Sequence, residues 1–73
     1  MKRKYNITVD CANCALQIEH AIAKIEGVQA VSINFITQTM TVQYKDDCNV
    51  TDIEKQIAKI GRKIDRDFEM EDR

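Results

Sequence analysis

Apolar and polar residues alternate along three short stretches of this chain, and this pattern predicts most of a sheet. Residues 3–9, 31–36 and 40–45 have the period of two that is typical of a strand with one buried face. The segment Thr37-Gln38-Thr39 is predicted to be the hairpin turn between the second and third stretches. The residues predicted to face inward are Tyr5, Ile7, Val9, Val31, Ile33, Phe35, Met40, Val42 and Tyr44.

Two other stretches repeat their apolar residues with the spacing of a helix that buries one face. The first helix is predicted over residues 14–26, with Gly27 as its C-terminal stop. The second is predicted to begin with a capping box formed by Thr51 and Glu54 and to end at Gly61. The predicted inward residues of the two helices are Ile18, Ala21, Ile22, Ile25, Ile53, Ile57 and Ile60.

The C-terminal residues carry a few scattered apolar side chains among many charges. Ile64, Phe68 and Met70 are the candidates for inward positions in a short fourth strand, whose charged outer residues suit the edge of a sheet. Residues 69–73 are alternatively the beginning of a linker. The order strand, helix, strand, strand, helix, strand predicts an α+β ferredoxin-like βαββαβ fold, with a four-stranded antiparallel sheet and two helices on one face.

Length and charge narrow the possible classes of protein. The chain has 73 residues, which is room for one domain, predicted over residues 1–73. A net charge of -1 argues against a nucleic-acid partner, and the outward residues Thr41 and Gln43 are not the aromatic side chains that RNA-binding sheets present. The chain has no run of about 20 apolar residues and no signal peptide, so we expect no membrane insertion and a cytoplasmic location.

Cys11 and Cys14 form a C-x-x-C pair where the first strand passes into the first helix. Without a secretion signal, the three cysteines are expected to stay reduced. Thiolates bind metals, and a helix N terminus lowers a thiol pKa, so we expect a lowered pKa at Cys14, the predicted start of the helix. Two thiolates suffice for Cu(I), whereas Zn(II) prefers four ligands and Cd(II) or Pb(II) more than two. The pair is therefore predicted to bind a thiophilic metal ion.

Asp10 directly precedes the first cysteine and has two interpretations. Its carboxylate can be a third ligand to a divalent ion, or it can accept backbone N–H groups and cap the loop or the helix. In the first case Cys11, Cys14 and Asp10 hold Zn(II), Cd(II) or Pb(II). In the second case the cysteines alone hold Cu(I). A vacant position on the metal would accept water or a partner's thiolate, which transfer between proteins requires.

Other interpretations of the cysteine pair stay open. A thiol-disulfide oxidoreductase also places C-x-x-C at a strand–helix junction, although no aromatic residue precedes Cys11 and the chain has no proline. A structural zinc site needs further ligands, and the remaining candidates are Cys48 and His20. We expect both to be ordinary surface or half-buried residues, and Met40 to lie in the core rather than act as a thioether ligand. The pair can also be structural and unliganded.

Several motifs together resemble the heavy-metal-associated domain family. They are the run Asp-Cys-Ala-Asn-Cys-Ala at 10–15, residues 18–22, the pair Gly27-Val28 and residues 31–35, within a resemblance that covers residues 5–64. The resemblance implies the ferredoxin-like fold and a role in metal transport without catalysis. The chain would be the cytosolic metal-binding domain of a metal-transporting P-type ATPase, or a metallochaperone that serves an ATPase or another metal-carrier domain. We expect a monomer, with a metal-bridged dimer as the alternative.

Departures from the family pattern bear on the metal. Thr8 and Val9 stand where the family usually has Gly-Met, and Asp10 before the first cysteine is similar to the ATPases that export zinc, cadmium and lead. Arg62 after Gly61 is similar to the lysine of free-standing copper chaperones, where a cation would reduce the negative charge of a dithiolate. The leading interpretation is a Zn(II), Cd(II) or Pb(II) domain, and the alternative is a Cu(I) chaperone or copper-ATPase domain.

Overall fold

The computed structural model describes residues 1–72, which form four strands and two helices. The strands make one sheet in the order β2-β3-β1-β4, and every neighbouring pair is antiparallel. The predicted α+β ferredoxin-like βαββαβ architecture is confirmed. The elements in chain order are β1 (Lys2–Thr8), α1 (Ala12–Ala23), β2 (Val28–Asn34), β3 (Thr39–Tyr44), α2 (Val50–Ile64) and β4 (Glu69–Asp72).

The core lies between the two helices and one face of the sheet. All predicted inward residues of β1 and β3 are buried, which confirms the register given by their alternation. Those of β2 are only half-buried, because β2 lies at the edge of the sheet. Burying apolar side chains is the main favourable term in folding, so this cluster fixes the fold. Its members are Tyr5, Ile7, Val9, Ala15, Ile18, Ile22, Val28, Met40, Val42, Tyr44, Ile53, Ile57 and Phe68.

The first helix begins and ends earlier than its apolar spacing predicts. It runs from Ala12 to Ala23 and is followed by a turn that leads into β2. Gly27 is the last residue of that turn, with φ +99, rather than the residue that stops the helix. A Cβ at this position would lie 2.6 Å from Ile53 Cδ1 and 2.9 Å from Cys48 Cβ. Glycine is therefore required here both by the positive φ and by close packing.

The predicted capping box of α2 is wrong. The N-cap residue is Asn49, whose side-chain oxygen accepts a hydrogen bond from the backbone N–H of Asp52 at 3.3 Å. Glu54 is used elsewhere, because its carboxylate accepts a hydrogen bond from the Tyr5 hydroxyl at 2.6 Å. Asparagine is as good an N-cap residue as serine or threonine, and the N-cap of α2 lies two residues before the predicted Thr51.

The prediction that Gly61 ends α2 is also wrong, because the helix continues to Ile64. Gly61 is buried, and a Cβ there would overlap the ring of Phe68. The ring therefore packs directly on the helix backbone. A glycine inside a helix costs about 1 kcal/mol relative to alanine. Gly61 offsets this cost because it allows the ring of Phe68 to contact the helix backbone.

The C-terminal residues form β4 rather than a linker, as far as the described residues extend. Residues 69–72 pair with β1 at the edge of the sheet, and most of their side chains are exposed and charged, which confirms the predicted edge strand. Phe68 is buried and Met70 half-buried, whereas Ile64 belongs to the end of α2. Arg73, the last residue of the predicted linker, lies outside the described residues.

A network of polar side chains links strands β1, β3 and β4 to helix α2. The hydroxyl oxygens of Tyr5 and Tyr44 are 2.6 Å apart, and the Tyr5 hydroxyl also donates to the Glu54 carboxylate. Arg3 lies 3.8 Å from that carboxylate and donates a hydrogen bond to Asp72 in β4 at 3.0 Å. Burial, followed by the hydrogen bond to Glu54, raises the pKa of Tyr5 far above its usual range. The network satisfies hydroxyl groups whose burial would otherwise be costly.

Candidate metal centre

Three connections meet at one end of the sheet: β1–α1, β2–β3 and α2–β4. The backbone N–H of Ile7 donates to the Gln38 carbonyl at 2.9 Å, and that of Val9 donates to Gln38 Oε1 at 2.8 Å. One residue later, the N–H of Asp10 donates to Asp65 Oδ2 at 3.1 Å. The exit of β1 is therefore fixed by side chains from two other connections. The cysteine pair follows it directly.

Cys11, rather than Cys14, is the residue at the start of α1. Cys11 is the N-cap residue, with extended backbone angles of φ -136 and ψ 128, and its side chain is exposed. Cys14 is the third residue of the helix and is half-buried against the core. The Ala15 N–H donates to the Cys11 carbonyl at 2.9 Å and closes the first turn. Both thiols thus lie in one turn at the head of the helix, and both are free.

The two thiols have pKa values shifted in opposite directions. The backbone N–H of Cys14 stabilises the Cys11 thiolate and lowers the pKa of Cys11, and the Cys14 thiol and the Asn13 N–H act in the same direction. The pKa of Cys14 is raised, chiefly because its S–H stabilises the Cys11 thiolate and then because it is desolvated. The prediction of a lowered pKa at Cys14 is wrong, since the helix begins two residues earlier than expected. Cys11 is the thiol that ionises first.

Asp10 belongs to a cluster of three carboxylates beside the thiols. One oxygen each from Asp10, Asp65 and Asp67 lie within 4.8 Å of one another. The hydrogen bond with Asp67 raises the pKa of Asp10, and desolvation and the charge of Asp65 add to this. The negative charge of Asp65 also acts on both Cys11 and Cys14. The charge of Asp65 therefore affects both the carboxylate of Asp10 and the two thiols.

The carboxylate of Asp10 is directed at Asp67 and not at the helix, whose N-cap residue is Cys11. This makes the helix-capping interpretation of Asp10 wrong. The side chain is exposed and stands immediately before an exposed cysteine. Among residues 1–72, the cluster of candidate metal ligands that Asp10 joins contains Asp65 and Asp67 and neither cysteine.

Sequence reasoning missed Asp65 and Asp67. They lie 55 and 57 positions after Asp10 along the chain, and their Asp-Arg-Asp spacing looks like an ordinary charged loop. The missing signal was topological: β4 pairs with β1, so the connection that precedes β4 must lie beside the residues that follow β1. Knowing that β4 lies beside β1 would have brought the two aspartates to the cysteine loop.

The remaining candidates lie away from the thiol pair. Cys48 is near the opposite end of the sheet, where its Sγ donates to the Lys45 carbonyl at 2.9 Å. His20 is exposed in the last turn of α1, and Met40 is fully buried, as predicted. Arg62 is exposed and borders a recess formed with β1 and β4. The negative charge of Asp65 acts on both thiols, and those of Asp10 and Cys11 act on Cys14.

The arrangement combines soft and hard donors on an open surface. Two sulfurs bind thiophilic ions, and carboxylate oxygens suit harder divalent ions. The exposed position of Cys11 leaves a bound ion accessible to ligands from a second protein. In the described part of the chain, no helix is long and apolar enough to cross a membrane.

Comparisons with known proteins agree with these features. The family described as the heavy-metal-associated domain matches residues 4–63. A copper-exporting P-type ATPase of Bacillus subtilis (strain 168) is 40% identical over 55 residues, which are 74% of this chain and 7% of the relative. A cadmium, zinc and cobalt-transporting ATPase of the same organism is 34% identical over 64 residues, covering 82% of this chain and 9% of the relative.

A solved structure of similar sequence has the same fold. The N-terminal domain of a potential copper-translocating P-type ATPase from Bacillus subtilis, in its Cu(I)-loaded state, is 32% identical with a TM-score of 0.74. The similarity covers 96% of this chain and 82% of that one. The chain thus spans less than a tenth of each of these two ATPases but most of the solved N-terminal domain. The family predicted from the motifs is confirmed: the chain belongs to the heavy-metal-associated domain family.

Proposed function

We propose that this domain binds a soft heavy-metal ion through Cys11, Cys14 and Asp10 and passes it on by ligand exchange. It acts either as the cytosolic metal-binding domain of a P-type ATPase that exports Zn(II), Cd(II) or Pb(II), or as a carrier that serves one. The metal is cargo, and the domain itself catalyses no reaction. The observation that carries the proposal is the pair of thiols in the first turn of α1, which the exposed Asp10 directly precedes in the chain.

The carboxylates support a divalent ion. Asp10 offers a third donor, and Asp65 and Asp67 add negative charge around it. Two thiolates already neutralise a doubly charged ion, and a further oxygen donor brings Zn(II) or Cd(II) closer to its preferred coordination. The cadmium, zinc and cobalt-transporting relative is consistent with this choice.

Cu(I) is the second candidate, because the two sulfurs alone satisfy that ion. The copper-exporting relative shares 40% identity with this chain, and the Cu(I)-loaded domain shares its fold. In this case the domain is a copper chaperone or a copper-ATPase domain, and the carboxylates contribute only charge. Both candidates use the same cysteines and differ in the role of Asp10.

The two cysteines have different parts in capture and release. Cys11 is exposed and its pKa is lowered, so it supplies the first thiolate to an incoming ion. Cys14 then gives up its proton and completes the pair. Release also begins at Cys11, since a partner's thiolate can replace the accessible Cys11 before the half-buried Cys14. The partner is therefore another thiolate-bearing domain, such as that of a metal-transporting ATPase.

Competition titration of the reduced protein with Cu(I), Zn(II), Cd(II) and Pb(II) tests the proposal. The unmodified chain is expected to bind at least one of these ions at micromolar concentration with one ion per chain. The double variant Cys11→Ser/Cys14→Ser is expected to lose this binding, and the matched control Cys48→Ser to retain it. Failure of the unmodified chain to bind any of the four ions would refute the proposal. Insulin-reducing activity would instead favour a thiol-disulfide oxidoreductase.

A further inference from the structure

Asp65 connects the cysteine loop to the α2–β4 connection through its own carboxylate. Its Oδ2 accepts a hydrogen bond from the Asp10 N–H at 3.1 Å, and its Oδ1 accepts one from the Asp67 N–H at 3.0 Å. Both oxygens are thus engaged with backbone donors. This bridge brings the side chains of Asp10 and Asp67 together, with oxygens of all three carboxylates within 4.8 Å.

The exit of β1 is held on its other side by a neutral group. The Gln38 amide oxygen accepts the Val9 N–H at 2.8 Å, and the Gln38 amide nitrogen donates to the Phe35 carbonyl at 2.8 Å. Gln38 and Asp65 therefore anchor adjacent backbone groups of the same loop, but only Asp65 carries a charge. Gln38 and Asp65 can be substituted separately. The effect of a displaced loop can therefore be distinguished from the effect of a lost negative charge.

Building on the proposed metal-binding function, we propose that Asp65 is a positioning residue that sets the preference of the Cys11–Cys14 site for divalent over monovalent ions. It fixes the backbone at Asp10, the residue directly before Cys11, and adds its own negative charge, without contacting the metal itself. In this proposal α1 supplies the two sulfur ligands, and Asp65 of the α2–β4 connection controls the negative charge around them.

Elementary electrostatics makes this preference measurable. The Coulomb energy between a fixed carboxylate and an ion is proportional to the charge of the ion, so loss of the carboxylate costs Zn(II) twice the energy that it costs Cu(I). Both ions displace protons from the same two thiols. Any change in thiol acidity therefore affects both affinities alike and cancels in their ratio.

The test measures the dissociation constants of Zn(II) and Cu(I) for the Asp65→Asn variant by chelator competition at fixed pH and ionic strength. Because the direct charge energies differ twofold, a charge effect worth about tenfold for Zn(II) is worth only about threefold for Cu(I), so the ratio of the Zn(II) affinity to the Cu(I) affinity is expected to fall by about threefold. Asp65→Ser, which also lacks the charge, is expected to show the same change in ratio and serves if the first variant does not fold.

Two controls separate the possible causes. Asp46→Asn removes the same charge from an exposed residue of the β3–α2 connection, at the opposite end of the sheet, and is expected to change neither affinity. Gln38→Ala loosens the other anchor without changing the charge, so any loss is expected to be equal for the two ions. An unchanged ratio of Zn(II) to Cu(I) affinity in the Asp65 variants would overturn the proposal.

The outcome is separate from that of the proposed function. If the unmodified chain binds neither ion, the proposed function fails. If it binds both ions through the cysteines but the Asp65 variants keep its selectivity, only the role of Asp65 fails.

Discussion

The backbone N–H of Cys14 stabilises the thiolate of Cys11, so the first cysteine of the pair is the more acidic one. The relationship follows from the start of α1, where Cys11 is the N-cap residue and Cys14 lies in the first turn. Unsatisfied N–H groups at a helix start favour a negative charge on the residue that precedes them. The accessible thiol is therefore also the one that ionises at the lower pH.

Cys11 is expected to be alkylated faster than Cys14 at neutral pH, by at least about threefold, because only the thiolate is nucleophilic. As the pH is raised from 6 to 9, labelling of Cys11 is expected to increase first, since its pKa is lowered and that of Cys14 is raised. Timed labelling with iodoacetamide and peptide mass spectrometry measures both rates. Equal rates, or a faster Cys14, would contradict the assignment.

Asp10→Ala is expected to weaken Zn(II) or Cd(II) binding by about tenfold or more, which corresponds to about 1.4 kcal/mol. The variant removes both a donor oxygen and a negative charge, so Cu(I), which is satisfied by two sulfurs, is expected to be affected much less. Competition titration of the reduced protein measures these affinities. Asp47→Ala, an exposed aspartate in the β3–α2 connection, is the matched control. Unchanged divalent affinity in Asp10→Ala would exclude the carboxylate as a ligand.

Gly61→Ala is expected to destabilise the fold by about 1–3 kcal/mol, because the added methyl group meets the ring of Phe68 in a packed core. This result would be unusual, since alanine is normally favoured over glycine within a helix. In the background of Phe68→Ala the same change is expected to be neutral or stabilising. Urea unfolding of the four proteins of this double-mutant cycle measures the coupling, and additive effects would show that the ring does not require the glycine.

Stability is expected to fall as the pH rises above about 10, the usual pKa of tyrosine in an unfolded chain. Burial raises the pKa of Tyr5 and of Tyr44 in the folded state, so the folded protein keeps phenolic protons that the unfolded chain loses. This contribution is fully present below pH 10 and is lost as the pH increases further. Urea unfolding between pH 8 and 11 measures the slope, which is expected to be smaller in Tyr5→Phe. An identical slope in that variant would argue against the raised pKa.

Much of the fold was determined by short-range patterns in the sequence. The alternation in β1 and β3 predicted the buried face correctly at every position, because neighbouring side chains of a strand point to opposite sides. The spacing of Cys11 and Cys14 between a strand and a helix likewise indicated the site. These features depend on residues close together in the chain, and the sequence contains that information directly.

The tertiary structure decided what depends on distant contacts. Gly61 resembles a helix stop, but the ring of Phe68 packs against it and the helix continues. The pairing of β4 with β1 places Asp65 beside Asp10, so a carboxylate cluster arises from residues 55 positions apart. Local preferences amount to a kcal/mol or less per residue, roughly, and core packing or strand pairing can outweigh them. The sequence by itself therefore determined the elements and the cysteine pair, whereas packing decided where the helices begin and end and which charges surround the site.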